Sequence, residues 1–152
     1  MLVDLPQEDV DMPSDLQPLG LAIKRVQHRH HRTLDAALIG IGTTLSHWDA
    51  LRAIARHPES SSHKLAGLTF QSDQSFGALA NRMVDRGLIR RVAGDGRAIL
   101  HHLTRDGEAM LEAGNAVADR LLAASFAPLS RAERQQLQAL LAKLLGDDAA
   151  RA

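Results

Sequence analysis

The segment from Asn81 to Gly107, which reads NRMVDRGLIRRVAGDGRAILHHLTRDG, is the most informative part of the chain. A helix-forming segment with arginines on one side stops at Gly87, and two short β-prone runs then flank a turn rich in glycine and aspartate. A helix-ending glycine and a turn between two β-prone runs predict a helix followed by a hairpin, and Thr104 is a candidate N-cap for a further helix. This order is that of a winged helix-turn-helix. Arginines on both the helix and the hairpin favour a polyanionic partner.

Hydrophobic spacing on both sides of this stretch predicts the remaining elements. Helices are expected over residues 17–39 and 47–57, around Leu65 and Leu68, over 72–86, from Thr104 to about Phe126, and from Ser130 to Gly146. Strands are expected over 88–92 and 98–103. The predicted fold class is therefore mainly α with a small β-wing, in the order α-α-α-α-β-β-α-α.

Capping residues set the expected helix ends. Ser46 is the expected N-cap of the second helix, and Gly40 and Gly42 are expected to end the first helix, because glycine suits a left-handed cap. Ser130 and Glu133 have the spacing of a capping box.

The chain divides into four predicted parts. Residues 1–15 are expected to form an acidic, disordered tail, and residues 16–42 an N-terminal dimerisation helix. Residues 43–103 are expected to form the winged helix-turn-helix lobe, and residues 104–146 the C-terminal dimerisation helices. The first helix and the last two carry apolar stripes that nothing else in the chain would cover, so the sequence predicts a homodimer.

Composition excludes several classes of protein. The 152 residues, 45% of them hydrophobic, are sufficient for one folded domain with a core. The chain has no cysteine, which excludes disulfides and thiolate metal sites. No signal peptide or membrane-spanning run is apparent in the sequence, so we expect a cytoplasmic protein without a membrane partner.

The zero net charge hides an uneven distribution. Residues 1–16 contain five acidic and no basic residues, which leaves 18 basic against 13 acidic residues in the rest of the chain. Between His63 and Arg105 there are seven basic and three acidic residues. Positive charge is thus concentrated around the predicted wing, where a nucleic acid would bind.

The quoted stretch resembles the MarR family of bacterial winged-helix transcriptional regulators. The match lies in Asp95-x-Arg97 followed by Leu103-Thr104-x-x-Gly107, in the helix end from Arg82 to Ile89, in Leu45-Ser46-x-Trp48-x-x-Leu51, and in Leu65-Ala66. The similarity covers about residues 17–146. Two features depart from the family pattern: a wing about two residues short, and an atypical connection from Thr69 to Gln74 before the fourth helix.

The resemblance implies a homodimer that binds a pseudo-palindromic double-stranded DNA operator. The fourth helix of each subunit would lie in the major groove and the wing at the flanking minor groove. Such proteins commonly repress their own or a neighbouring operon, and many release DNA when a small phenolic or amphipathic effector binds. The sequence lacks a nucleophile elbow, a phosphate-binding loop and a histidine–carboxylate metal motif, so we expect no enzymatic activity and no cofactor.

Residue chemistry suggests which side chains contact DNA. Arg97 at the wing tip suits a narrow minor groove, with Asp95 holding its guanidinium. Base reading is expected from short or amide side chains early in the fourth helix, while the arginines suit phosphates, with Arg86 alternatively capping the helix. Arg90 and Arg91 alternate along a strand, so only one of them can face DNA. The predicted DNA-binding set is Ser72, Gln74, Ser75, Ala78, Asn81, Arg82, Arg86, Arg90, Arg91, Asp95 and Arg97.

Two further sites and two alternative functions follow from other residues. Trp48 is a candidate lining residue of an effector pocket, with Arg25 or Arg29 holding a carboxylate; the alternative for Trp48 is core or dimer packing.

His28 and His31 could share a metal ion, but without cysteine or a well-spaced carboxylate a solvated helix face is favoured and no metal site is predicted. His101 and His102 are expected to approach phosphate or titrate near neutral pH. The alternative functions are a winged-helix interaction module without DNA binding and a histidine-dependent metal protein.

Overall fold

The computed structural model describes residues 15–146, and the predicted tail lies almost entirely outside this range. The helices are α1 (Leu16–Ile39), α2 (Leu45–Arg56), α3 (Ser62–Leu68), α4 (Asp73–Asp85), α5 (Arg105–Phe126) and α6 (Arg131–Leu145). The strands are β1 (Ile89–Ala93) and β2 (Ile99–Leu103). The predicted order of elements is confirmed, and no predicted boundary lies more than two residues from the observed one.

The start of α2 corrects one prediction. Thr44, not Ser46, is the N-cap: its backbone is extended, with φ −124° and ψ 164°, and its side chain accepts a hydrogen bond from the His47 amide. Ser46 lies inside the first turn and is exposed. The two hydroxyl residues are two positions apart, and the helix begins at the one whose backbone is extended.

The glycines after α1 also differ in role. Gly40 has φ −61° and continues the helical conformation, whereas Gly42 has φ +87° and makes the left-handed turn. Only Gly42 therefore uses the conformational freedom that was expected of both.

Helices α3 and α4 form the helix-turn-helix. The Ser61 side chain accepts from the Lys64 amide to cap α3, and the Ser72 side chain accepts from the Ser75 amide to cap α4. Gly87, with φ +72°, follows the end of α4 and directs the chain into the hairpin.

Strands β1 and β2 pair antiparallel, with Ile89 opposite Leu103 and Ala93 opposite Ile99. The connecting turn is closed by a hydrogen bond from the Gly94 amide to the Ala98 carbonyl. The predicted wing is therefore a two-stranded hairpin.

The junction between the wing and α5 explains the Thr104-x-x-Gly107 motif. The Thr104 side chain accepts from the Gly107 amide and donates to the Gly87 carbonyl, which ties the start of α5 to the end of α4. A Cβ on Gly107 would overlap the Leu88 carbonyl oxygen. Only glycine fits at this crossing.

The buried side chains form two clusters. The larger lies inside the winged helix-turn-helix and joins α2, α3, α4 and β1; its largest fully buried side chains are Leu51, Ile54, Leu65, Phe76, Met83 and Ile89. The smaller joins α1, α2 and α5 and consists of Leu34, Leu38, Trp48, Val117 and Ala118.

Helices α1 and α6 carry large apolar side chains that are exposed within residues 15–146. No residue of α6 is buried, although its capping box forms as predicted. The large exposed apolar residues of the two helices are Leu16, Leu19, Leu21, Ile23, Val26, Ile39, Leu140, Leu141, Leu144 and Leu145. Within residues 15–146, no helix combines the length and hydropathy needed to cross a membrane.

Candidate nucleic-acid interface and adjoining cleft

One face of α4 is buried and the other is polar and exposed. Phe76, Leu79, Ala80 and Met83 anchor α4 in the larger core. This packing leaves exposed, on the opposite face, the predicted contact residues Gln74, Ser75, Ala78, Asn81 and Arg82. The helix therefore presents short and amide side chains outward, as base reading requires.

The first turn of α4 is organised by its serines. The Ser72 hydroxyl accepts from the Ser75 amide at 3.1 Å and donates to the Ser75 hydroxyl at 2.9 Å. Both hydroxyls thus take part in hydrogen bonds within the first turn, while the Gln74 side chain between them is exposed.

Asp73 has a partner of its own. Its carboxylate lies 2.9 Å from Nδ1 of His63 on α3. Both side chains are largely exposed, which makes this a weak surface contact between the two helices.

A hydrogen bond joins the wing to α4. Nη2 of Arg91 donates to Oδ1 of Asn81 at 2.6 Å. Two of the predicted contact residues, one on β1 and one on α4, thereby form a single polar surface. The bond fixes Arg91 on the same side as the exposed face of α4.

Arg90 lies on the other side of the hairpin. It lines a cleft of about 470 Å³ with His102 of β2 and with Ile54, Pro58, Glu108, Glu112 and Asn115 from around α2 and α5. Arg91 thus lies on the side of the hairpin that meets α4, whereas Arg90 lies on the other side, because neighbouring strand residues point to opposite faces.

Arg86 takes part in holding the lobe together. Its Nη2 donates to the Gly42 carbonyl at 2.9 Å, which ties the C-terminus of α4 to the loop between α1 and α2. The sequence offered two roles for Arg86, a phosphate contact and a cap of α4. The structure shows a third, a tie to a distant loop.

His47 lies close to the same arginines. Burial, and next the positive charges of Arg86 and Arg82, lower the pKa of the His47 imidazole. The side chain is only 8% exposed and therefore favours the neutral form.

The wing tip carries Asp95 and Arg97 into solvent. Both are exposed, and Gly96 between them has φ +64°, which makes the turn. In the part of the chain described, Asp95 forms no ion pair with Arg97, so the expected charge-assisted bond is absent there. The Asp95 carbonyl instead accepts from the Ala98 amide at 3.3 Å. Arg97 is therefore free to extend from the tip.

The two wing histidines have different environments. His101 is 2% exposed and packs edge-on against Phe76, with ring centres 6.0 Å apart. The expectation that His101 approaches phosphate is therefore wrong, because its strand position points into the core. Burial, and next the charges of Arg91 and His102, lower its pKa.

A second site lies beside the helix-turn-helix. A cleft of about 930 Å³, here called the Trp48 cleft, opens between α1, α2, the turn after α3, α5 and α6. Its walls are mostly apolar, and its polar and aromatic lining includes His30, His31, Trp48, Asp49, Arg52 and Phe70.

Trp48 is held rigidly at the wall of this cleft. Its Nε1 donates to Oδ1 of Asn115 on α5 at 3.1 Å, and a Cβ on Gly114 would overlap the indole ring. The residue is 5% exposed, so it serves as core packing as well as lining. The two roles that the sequence left open for Trp48 are compatible.

The arginine beside Trp48 is Arg52. Its guanidinium carbon lies 4.3 Å from the centre of the indole ring, and its Nη1 lies 3.4 Å from a carboxylate oxygen of Asp49. Burial raises the pKa of Asp49, and Arg52 opposes that shift. Arg52 thus supplies a fixed positive charge next to an aromatic face.

Arg25 and Arg29 do not meet Trp48 within the chain. They lie on another face of α1, around a surface depression of about 700 Å³ lined also by Leu21, Lys24, His28 and Arg32. The structure therefore does not bring together the three residues predicted for one effector pocket. The spacing of apolar residues predicted helix α1 correctly, but it could not show which face of α1 packs against α2.

The histidine cluster is split between two faces. His28 lines the depression with Arg25, whereas His30 and His31 line the Trp48 cleft. Nε2 of His30 lies 2.6 Å from the Ser125 hydroxyl, and its ring packs edge-on against Phe126. Residues 15–146 contain no group of three or more His, Asp or Glu side chains placed to hold a metal ion.

Sequence reasoning missed three residues of these sites. Arg52 lies four positions after Trp48 on one helix, and that spacing could have identified the pair. Asn115 and Phe70 gave no such signal, because their neighbours in space come from distant parts of the chain.

The central part of the chain matches a known family. A family model described as the MarR family matches residues 41–98, which include α2, α3, α4 and the wing as far as Ala98. The HTH-type transcriptional repressor Rv2887 of Mycobacterium tuberculosis is 29% identical over 136 residues, spanning 88% of this chain and 98% of the relative.

Solved structures agree with this match. A probable transcriptional regulator from Pseudomonas aeruginosa is 34% identical, with a TM-score of 0.70 over 83% of this chain and 96% of that one. Rv2887 in complex with salicylic acid has a TM-score of 0.70 and 29% identity, covering 84% and 96% of the two chains. Rv2887 in complex with DNA has a TM-score of 0.70 and 26% identity, covering 84% and 97%.

Proposed function

The chain belongs to the MarR family, and we propose that it is a homodimeric, sequence-specific DNA-binding transcriptional repressor released by a small phenolic or amphipathic ligand. The observation that carries the proposal is the continuous polar surface formed by α4 and the wing through the Asn81–Arg91 hydrogen bond. The family match and the relative named as a transcriptional repressor support it. The proposal involves no catalytic step, and DNA as partner implies a cytoplasmic location.

In this proposal α4 enters the major groove. Its exposed Gln74 and Asn81 suit adenine edges, while Arg82 and Arg91 lie toward the phosphates that border the groove. Arg97 at the wing tip reaches the adjoining minor groove. Arg90 is excluded from the interface, and Arg86 acts through the loop that it ties to α4.

The uncovered apolar faces of α1 and α6 support the homodimer. Two copies would cover these faces and present two α4 helices, so the operator should contain two related half-sites about one helical turn apart. Residues 16–42 and 104–146 would then form the dimer layer that joins two DNA-binding lobes of residues 43–103.

The effector in this proposal is a small aromatic acid bound in the Trp48 cleft. The guanidinium of Arg52 is placed to receive a carboxylate, and the indole offers an apolar surface to a ring. Such a site lies between α1 and the helix-turn-helix, where occupancy can alter how α4 is held. The relative Rv2887 has been solved with salicylic acid, which makes salicylate a suitable probe.

DNA binding is tested with labelled DNA from the region upstream of the gene and scrambled DNA of the same composition, across a series of salt concentrations. We expect selective binding to the upstream DNA whose affinity falls steeply as salt rises, because phosphate contacts release counterions. Equal affinity for both DNAs at every salt concentration would contradict sequence-specific binding and favour the interaction-module alternative.

Effector binding is tested by calorimetric titration with salicylate of the wild type and of an Arg52→Gln variant. The variant should lose about tenfold or more in affinity, since a hydrogen bond to a charged group contributes about 1.5–3 kcal/mol. Arg25→Gln is the matched control, because Arg25 lies outside the Trp48 cleft. Equal losses of salicylate affinity in both variants would show that the carboxylate of salicylate does not bind specifically at Arg52.

A further inference from the structure

Phe70 is the most unusual residue of the described chain. It follows α3 in the turn before α4, and it combines a left-handed backbone, with φ +56°, with a side chain that is 97% exposed. A bulky residue rarely adopts this backbone conformation, and an exposed phenyl ring gains nothing from burial. Both features oppose stability.

The turn itself explains the backbone but not the side chain. The Phe70 amide donates to the Gly67 carbonyl at 3.2 Å, and the Gln71 amide donates to the Ala66 carbonyl at 2.9 Å. This pair of bonds is the helix-ending Schellman arrangement, in which glycine, or sometimes asparagine, normally occupies the left-handed position. A phenylalanine at this place needs another reason.

The position of the ring supplies that reason. Phe70 lines the Trp48 cleft together with Trp48 and Arg52, and it stands two residues before Ser72, the N-cap of α4. A ligand in the cleft can therefore contact Phe70, and any movement of Phe70 acts directly on the start of the DNA-reading helix.

We propose that Phe70 is the specificity-determining residue that contacts the aromatic ring of the effector and couples its binding to the position of α4. This inference rests on the proposed function, because it names a residue of the proposed effector site. Ring contact removes the exposed phenyl from water and favours the turn conformation in which that contact forms. The left-handed backbone at Phe70 is strained, because a bulky side chain disfavours it, so the free energy difference between this turn conformation and another is small. Ligand binding can therefore change which of the two conformations is populated.

Three variants separate the ring from the backbone. Phe70→Asn keeps a residue that tolerates the left-handed conformation but removes the ring, and Phe70→Gly relieves the strain as well. Phe70→Tyr keeps the ring. Ile99→Asn is the control, because Ile99 is an exposed apolar residue on the wing, outside the Trp48 cleft.

The measurement is DNA affinity with and without saturating salicylate, together with the urea midpoint of unfolding. An effector of this kind typically changes affinity by about 5–150-fold. We expect Phe70→Asn and Phe70→Gly to bind DNA without salicylate as the wild type does, and to lose most of the salicylate effect. Phe70→Tyr and Ile99→Asn should keep it. Phe70→Gly should also raise the urea midpoint.

The outcomes are separable. A wild type that does not bind DNA, or whose DNA binding ignores salicylate, would contradict the proposed function before Phe70 is considered. A normal wild-type response that survives in Phe70→Asn and Phe70→Gly would overturn the role of Phe70 alone. A loss of self-association in the same variants would also overturn it, since Phe70 would then be a subunit contact.

Discussion

At the scale of single residues, two glycines allow α5 to pack closely against its neighbours, because they have no side chain. Gly107 lets α5 begin against the Leu88 carbonyl, and Gly114 lets it pass against the indole of Trp48. Both are buried. Glycine costs a helix about 0.5–1 kcal/mol relative to alanine, so its use inside α5 reflects close packing.

Replacing Gly114 by alanine should therefore destabilise the protein. The added Cβ overlaps the Trp48 ring, which its hydrogen bond to Asn115 holds in place, and overpacking of this kind costs about 1–3 kcal/mol. Urea unfolding at fixed protein concentration measures the loss. In the control Gly77→Ala, a Cβ meets nothing within 4 Å, so that variant should be as stable as the wild type or more stable.

Arg97 and Arg90 form a matched pair for DNA binding, because they lie on the wing but point to different surroundings. Arg97→Ala should weaken operator binding by about 1–3 kcal/mol, the range for an arginine that reads a groove. Arg90→Ala, in the cleft beside His102, should change it much less. Titrations of the two variants with labelled operator compare them directly; similar losses would show that the wing docks differently.

At the scale of elements, a histidine of β2 packs the wing against α4. His101 is buried against Phe76, and its Nδ1 is among the buried polar atoms that lack a hydrogen-bond partner in the described chain. A neutral imidazole can remain there at modest cost, but a protonated one would be a buried charge near Arg91. The packing of wing on helix therefore requires the neutral form.

Stability should consequently fall as the pH is lowered. Burial holds the pKa of the folded-state His101 imidazole below the ordinary value of about 6.5, so His101 is neutral in both the folded and the unfolded state well above that pH. Below it the unfolded chain takes up the proton first, and stability is lost as the pH falls toward the folded pKa. His47 acts in the same direction. Urea unfolding between about pH 7.5 and pH 5 should show this loss.

The variant His101→Leu tests the assignment. Leucine places an apolar side chain of similar size against Phe76 and removes one titrating group. The free energy of unfolding of the variant should therefore depend less on pH over the same range. An unchanged pH dependence would show that His47 or another group controls it.

At the scale of the whole molecule, the part of the chain that the structure describes leaves a large apolar surface exposed on α1 and α6. Helix α6 has no buried residue, and Leu144 is 72% exposed while belonging to an apolar stripe. Exposed stripes of this size are unfavourable in water and mark an interaction surface. A second copy would cover them.

The variant Leu144→Glu should therefore disrupt the dimer. Sedimentation equilibrium of the wild type should give twice the chain mass of 16.5 kDa, and the variant should shift toward the single-chain mass because a carboxylate would be buried in the interface. The same variant should lose affinity for a two-half-site operator. As control, Ile99→Glu places the same charge on the wing and should leave the mass unchanged.

Much of the architecture could be predicted from residue order alone. The stripe Phe76-x-x-Leu79-Ala80 defines the buried face of α4, and the Gly/Asp turn defines the wing, because both signals are local. Thr104 and Ser130 cap their helices as expected. The caps at Thr44 and Ser46 could not be distinguished in this way, since both residues can cap and only the path of the chain out of α1 selects one.

The elements, their order and the concentration of arginine around the wing could be predicted from the amino-acid sequence alone, because spacing, capping and charge are properties of neighbouring residues. The packing of the folded chain was needed to show that Asn81 meets Arg91, that Arg52 rather than Arg25 or Arg29 lies beside Trp48, and that His101 is buried. The physical reason is that these contacts depend on how helices and strands are oriented against one another. A periodic pattern fixes which residues share a face, but not which element that face will meet.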